Sequence, residues 1–190
     1  MLGALVAAAS LVACAEDGEG GADRGASLRA RAVVRGVPGS GIDGEVTFVE
    51  GPPGRLRPVP GVRVGARIEG LEPRRVHGFH IHERGTCDPP GFTSAGGHFD
   101  PGPYGNPSPD ANHPFHAGDL PNLEVGKGGL GRLTTITNRV TLSPGPLSLF
   151  DADGSAVVVH KERDRGQPGV QGASGGPRLA CGVIRLQRQG

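Results

Sequence analysis

The chain has 190 residues and a formal net charge of +1, with 35 glycines, 18 prolines, seven histidines, three cysteines and no tryptophan. That length fits one domain with a short extension, and so small a net charge excludes a global field that would gather nucleic acid or draw the chain to an anionic membrane. The glycines and prolines cluster between short alternating apolar runs, which is how loops punctuate an all-β protein.

In chain order, residues 1–14, MLGALVAAASLVAC, come first and are almost entirely apolar. They are too short to span a bilayer as a helix but suit the apolar core of a signal peptide, although no Lys or Arg precedes them. The ending LVAC resembles a bacterial lipobox, in which Cys14 becomes a lipidated mature N-terminus; the competing reading is an uncleaved start. Residues 15–27, AEDGEGGADRGAS, are polar and glycine-rich and read as a flexible tether.

From residue 28 onward, strand-like runs recur. Residues 28–34, 45–51, 62–71, 74–83, 131–140, 155–161 and 180–187 are short, rich in β-branched side chains and in several cases alternating. Residues 143–155 add a short strand and a turn. No segment shows a sustained helical period. Seven or eight strands in one unit predict an antiparallel Greek-key β-sandwich or flattened barrel of about eight strands, covering residues 28–187. Two long stretches, residues 85–130 and 161–178, show no strand pattern, and loops of that length inside a compact domain usually carry function.

Cysteine usage fits an exported chain. With Cys14 acylated, Cys87 and Cys181 remain, and in an oxidising compartment an isolated pair is most simply a disulfide. Two free, buried thiols are the alternative.

The histidines are not evenly spread. The stretch HGFHIHERGTC, residues 77–87, holds three of the seven. Along a strand, side chains at i and i+2 share a face less than about 7 Å apart, so His80 and His82 present two imidazoles side by side, as two ligands of one metal would be. A solvated strand face is the bland alternative for such a pair. His160 ends a separate strand, and His98 follows two glycines that permit close backbone approach. These four suit copper, which prefers nitrogen in tetragonal geometry. His116 and Asp119 form a mixed pair in HAGD that suits zinc; a loop cap or ion pair would explain them equally well.

HGFHIHERGTC, SAGGHFDP, HAGDLPN, AVVVHKERD and PRLACGVI occur in this order along the chain. Together they closely resemble the copper–zinc superoxide dismutase family over residues 28–187. The resemblance implies copper held by His80, His82, His98 and His160, with His98 bridging to zinc. It implies His116 and Asp119 as further zinc ligands. Arg178 corresponds to the arginine that guides the anionic substrate, and is catalytic together with His98. Asp164 corresponds to a carboxylate linking the two metal sites, and His77 to a structural histidine that binds no metal. Cys87 and Cys181 correspond to the family's disulfide.

Two departures stand out. The family's remaining zinc histidine lies eight residues after the bridging one, where this chain has Asn106. His113, an extra histidine in the same loop, is expected to replace it; otherwise the zinc site is weakened or lost and His113 faces solvent. The loop after His160 also lacks a clear match to the family's charged steering residues. Lys161, Arg163 and Arg165 offer positive charge there, or simply a solvated surface.

The implied function is dismutation of superoxide to dioxygen and hydrogen peroxide by a copper redox cycle with a zinc-supported bridging histidine. The alternative is a non-catalytic copper-binding envelope protein, a metal store or chaperone. Arg178 favours the enzyme, since a store needs no anion guide, and the altered zinc loop favours the alternative. The expected partner is superoxide, with no nucleic acid. The chain is expected to be exported to the periplasm or cell envelope, with a membrane anchor through Cys14, as a homodimer or monomer.

Overall fold

Alternation along the chain sets the strands. The structure, a computed structural model, describes residues 27–51, 61–102, 116–166 and 174–188. In β1 (Arg29–Gly36), Ala30, Ala32 and Val34 are buried while Arg29, Arg31, Val33 and Arg35 face solvent. β2 (Asp43–Gly51) buries Val46 and Phe48, and β3 (Gly61–Glu69) buries Val62, Val64, Ala66 and Ile68. This period of two is what a sheet with one wet face requires.

Six more strands follow: β4 (Val76–His77), β5 (Phe79–His82), β6 (Leu123–Val125), β7 (Gly131–Thr137), β8 (Ala156–His160) and β9 (Arg178–Leu186). All pair antiparallel, in the order β4-β6-β7-β3-β2-β1-β9-β8-β5. The two outermost strands, β4 and β5, are separated only by Gly78. The Gly78 N–H donates to the Glu162 carbonyl at 2.7 Å, and its own carbonyl accepts from the His160 N–H at 2.8 Å. The sheet therefore bends round until its ends meet in one stretch of chain, a nearly closed barrel. The single run expected over residues 74–83 is this interrupted pair.

Two sequence expectations are corrected. Residues 85–130 contain a strand after all, β6, whose three residues are too few to show a period but complete the ladder between β4 and β7. The strand expected within residues 143–155 is absent; that segment contributes only the isolated bridge between Thr141 and Ser148. It is held by Glu50 of β2, whose buried carboxylate accepts from the N–H groups of Leu142 and Ser143 and from the Ser143 hydroxyl. One short 3-10 turn, Thr93–Ala95, is the sole helical element among the described residues.

β5 and β8 are buried on both faces. Phe79 and Ile81 of β5, with Val157 and Val159 of β8, join the main core around Phe48, Ile68, Leu123 and Ile184. The opposite face of this pair is roofed by loops. There Ala156 and Val158 pack with Phe92, Ala95 and Cys181 in a second, smaller cluster. The Cys87–Cys181 disulfide, with Cα atoms 5.6 Å apart, ties the loop after β5 to β9 beside that cluster. His80 and His82 lie on this roofed face, alternating with the core residues Phe79 and Ile81.

Candidate metal centre

The roof is laid on β5 by backbone hydrogen bonds. The Phe99 N–H donates to the Ile81 carbonyl at 2.9 Å, the Gly118 N–H to the Phe99 carbonyl at 2.7 Å, and the Ile81 N–H to the Gly118 carbonyl at 2.9 Å. These bonds set His98 against His82 and Asp119 against His80 as isolated bridges. Gly118 is needed for this approach, since a Cβ there would overlap the Ile81 carbonyl oxygen. His160 arrives from the end of β8, where the pairing with β9 shifts register between Val159 and His160 and places His160 beside Arg178.

The result is two overlapping clusters that share His98, and a third group of His80, Asp119 and Asp164 that shares His80 with the first and Asp119 with the second. His80, His82, His98 and His160 bring one candidate ligand atom each within 4.8 Å of one another, as do His98, His116 and Asp119. His98 belongs to both. Its ring centroid lies 4.1 Å from that of His80 and 5.1 Å from that of His116.

Neighbouring acceptors decide which nitrogen of each ring carries its proton. His82 Nδ1 lies 3.0 Å from the Gly96 carbonyl, and His160 Nδ1 lies 2.9 Å from the Gly176 carbonyl. A carbonyl can only accept, so in both rings Nδ1 is the donor and Nε2 holds a bare lone pair. His80 is turned the other way. Its Nε2 donates to Asp164 Oδ2 at 2.9 Å, which leaves Nδ1 bare, buried and without a hydrogen-bond partner. The Nε2 atoms of His82 and His160 face each other at 3.3 Å. With both protons held at Nδ1, this approach is no hydrogen bond. Two lone pairs so placed repel unless a cation lies between them, and nitrogens each about 2 Å from one ion stand roughly 3 Å apart when adjacent in its coordination sphere.

Burial keeps these rings neutral. It pushes the His80 pKa below its ordinary value although Asp164 pulls upward, and it pushes His82 well below, with His98 adding to the effect. His160 is lowered to about 3, again first by burial and then by the charge of His80. Neutral imidazoles are the form that binds metal.

On the second cluster, burial alone would raise the Asp119 pKa, but hydrogen bonds from His116 and His98 outweigh it and hold the carboxyl well below the usual range. Asp119 Oδ1 lies 2.7 Å from His98 Nδ1, and Oδ2 accepts from the His116 N–H at 2.9 Å. An ionised carboxylate with two imidazoles is a donor set suited to zinc.

Arg178 borders the first cluster. Its Nη1 donates to the Phe92 carbonyl and its Nη2 to the Gly96 carbonyl, each at 2.6 Å. Phe92 adopts a left-handed φ of 52° to aim that carbonyl, a conformation non-glycine residues seldom take outside over-determined sites. Burial lowers the Arg178 pKa and Glu83 opposes the shift; a guanidinium stays charged at neutral pH regardless. His77 sits apart from both clusters, its Nδ1 bonded to the carbonyls of His160 and Lys161 at 2.8 and 3.0 Å. Cys14, Asn106 and His113 lie outside the described residues.

Residues 42–184 match the family model described as copper/zinc superoxide dismutase. The chain belongs to the copper/zinc superoxide dismutase family. It is 42% identical over 127 residues to the copper–zinc superoxide dismutase 2 of Aquifex aeolicus, covering 66% of this chain and 72% of that one. It is 39% identical over 164 residues to the copper–zinc superoxide dismutase of Caulobacter vibrioides, covering 82% and 85%. Among solved structures, a superoxide dismutase-like protein from Bacillus subtilis superposes with a TM-score of 0.67 at 33% identity, covering 80% of this chain and 96% of that one.

Within this superoxide dismutase fold, the sequence pointed to Asp164, which orients His80, but not to the other groups that orient the ligands. Asn122 clamps Asp164, its Nδ2 donating to the Asp164 carbonyl at 3.0 Å and its Oδ1 accepting from the Asp164 N–H at 2.9 Å. The Gly96 carbonyl serves both His82 and Arg178. A backbone carbonyl leaves no trace in a sequence, and Asn122 was visible only as a polar residue after HAGDLP.

Proposed function

We propose that this superoxide dismutase holds copper at His80, His82, His98 and His160, and zinc at His98, His116 and Asp119, and that Arg178 receives the substrate anion. The reaction converts two superoxide anions and two protons to one dioxygen and one hydrogen peroxide. The observation that carries this reading is the set of three bare imidazole nitrogens, on His80, His82 and His160, whose protons are committed elsewhere. When bound, copper supplies the one-electron redox couple and zinc a redox-inert cation beside it.

The chain's own residues supply the rest. Arg178 is a permanent, pinned cation that holds an oxyanion next to the four-histidine cluster without titrating. Asp164 and the Gly96 and Gly176 carbonyls keep the three ligand rings in the tautomer that points a lone pair inward. His98 has Nδ1 turned to Asp119, which leaves Nε2 as the atom on the copper side that can hold a proton and release it to the reduced product. A copper store needs the histidines but has no use for Arg178, so the second reading has less support here.

A superoxide-removal assay on copper- and zinc-loaded protein tests the reading beside a His160→Ala control. Strong activity in the parent and its loss in the control are expected, and equal activity in the two would defeat it. We further assign the fourth zinc position to His113 in place of Asn106. A His113→Ala protein is expected to bind zinc more weakly, and unchanged affinity removes that assignment. We take residues 1–14 as a signal peptide, residues 15–27 as a tether from lipidated Cys14 to the domain at residues 28–187, and the cell envelope as the location. Palmitate labelling lost in a Cys14→Ser chain is the expected result; labelling of neither chain rules out the anchor.

A further inference from the structure

The segment that carries His116 and Asp119 has no strand of its own, yet both side chains must reach one ion. Its internal bonds are few. The Asp119 N–H donates to the His116 carbonyl at 3.2 Å, and the carboxylate of Asp119 accepts from the His116 N–H. Backbone bonds hold the middle of this turn to β5, from the Ile81 N–H to the Gly118 carbonyl, and the next residue, Leu120, to the Phe79 carbonyl at 3.3 Å. The carbonyls at its two ends are held by a side chain from elsewhere in the chain. Arg139 follows β7, and its Nη1 donates to the His116 carbonyl at 3.0 Å while its Nη2 donates to the Asp119 carbonyl. The backbone N–H of Arg139 donates in turn to Thr137 Oγ1 at 3.2 Å, at the end of β7. One guanidinium thus grips the first and last residues of HAGD from a rigid strand end.

We propose that Arg139 is a positioning residue of the zinc half-site, fixing the turn that aims His116 and Asp119 at one ion. The proposal rests on the assignment of those two residues to zinc made above. The planar fork of a guanidinium can serve two carbonyl oxygens at once, whereas an ammonium is a point charge that serves one of them well. No carboxylate competes for this guanidinium in an ion pair among the described residues. The grip also reaches past zinc, because Asp119 Oδ1 orients His98, the ring shared with the copper cluster.

The test is zinc affinity, with cobalt(II) as a coloured probe of the same half-site in the full chain. Arg139→Gln is expected to weaken zinc binding by about 10- to 100-fold, the usual effect of removing an outer partner of a ligand, and to alter the cobalt d–d spectrum. Arg139→Lys should fall between that variant and the parent. Val140→Ala, a neighbouring core truncation that touches neither carbonyl, separates placement from general loosening and should hold zinc within about threefold of the parent. Parent-like affinity in both Arg139 variants overturns the proposal, as does an equal loss in Val140→Ala at matched melting temperature. If Arg139→Gln does not fold, Arg139→Lys decides alone, and parent-like affinity and spectrum there overturn the proposal. A His116→Ala control isolates the underlying reading: if it too binds zinc like the parent, the zinc assignment has failed, and the role of Arg139 falls with it.

Discussion

Asp164 holds the His80 proton on Nε2, and this contact decides which nitrogen is left to bind metal. Replacing it with alanine frees the ring to carry its proton on either nitrogen. Copper affinity of Asp164→Ala is expected to drop about 10- to 100-fold in a chelator competition, with the fold intact. Arg178 acts on the substrate instead. Arg178→Ala should retain its metals but lose about tenfold or more in kcat/KM, and its rate should depend less on added salt, because steering by one local cation fades as the Debye length falls to about 8 Å at physiological ionic strength. A rate as salt-sensitive as the parent's would remove the steering role. At this scale the sequence was informative about ligands. HIH on a strand places two imidazoles on one face, and HAGD carries two donors three residues apart. Of the orienting groups it pointed only to Asp164, because Asn122 and two glycine carbonyls act through tertiary neighbours far from them in sequence.

Among elements, the loop after β5 carries a double duty. Its Phe92 carbonyl holds Arg178, and its Cys87 is bonded to Cys181 on β9, the strand that Arg178 begins. Closing a loop of 94 residues contributes roughly 4–5 kcal/mol in the chain-entropy account. Reduction should therefore lower the urea-derived stability by about that amount and also depress activity per bound copper, since the carbonyl that pins the arginine is no longer tethered. Full activity per copper in the reduced protein would show that the loop holds its shape unaided. The strands themselves were legible wherever one face is wet, as in β1 and β3, whose alternation is regular. β5 and β8 read as strands too, but their burial on both sides depends on loops that only the folded chain brings over them. β6 escaped notice because three residues cannot display a period. Glu50, near the end of β2, is buried and holds the segment after Thr141.

For the whole molecule, the three depressed imidazoles make the metal-free protein sensitive to acid. Each takes up a proton in the unfolded chain near the ordinary value of 6.5 but in the folded chain only at lower pH, about 3 for His160. Stability is therefore complete above that ordinary value and declines as pH falls below it. His160 alone should cost about 2 kcal/mol between pH 6.5 and 5. Asp119 and Asp164, both lowered in the folded chain, add a further loss once pH passes below the usual carboxyl range. Denaturant titrations of the metal-free chain across this range check the sign; a flat profile would mean that the rings are already hydrated. The family and its barrel were readable from five motifs in order, because each motif is local. The distances among them were not, since they arise from how the sheet curls.

That curl has a consequence for assembly. The outermost strands of the ladder are one stretch of backbone interrupted at Gly78, so the described residues offer no long open rim to which an incoming strand from another molecule could add. For a foreign strand to join this ladder at its ends, the bonds of Gly78 to the Glu162 and His160 backbone would first have to part.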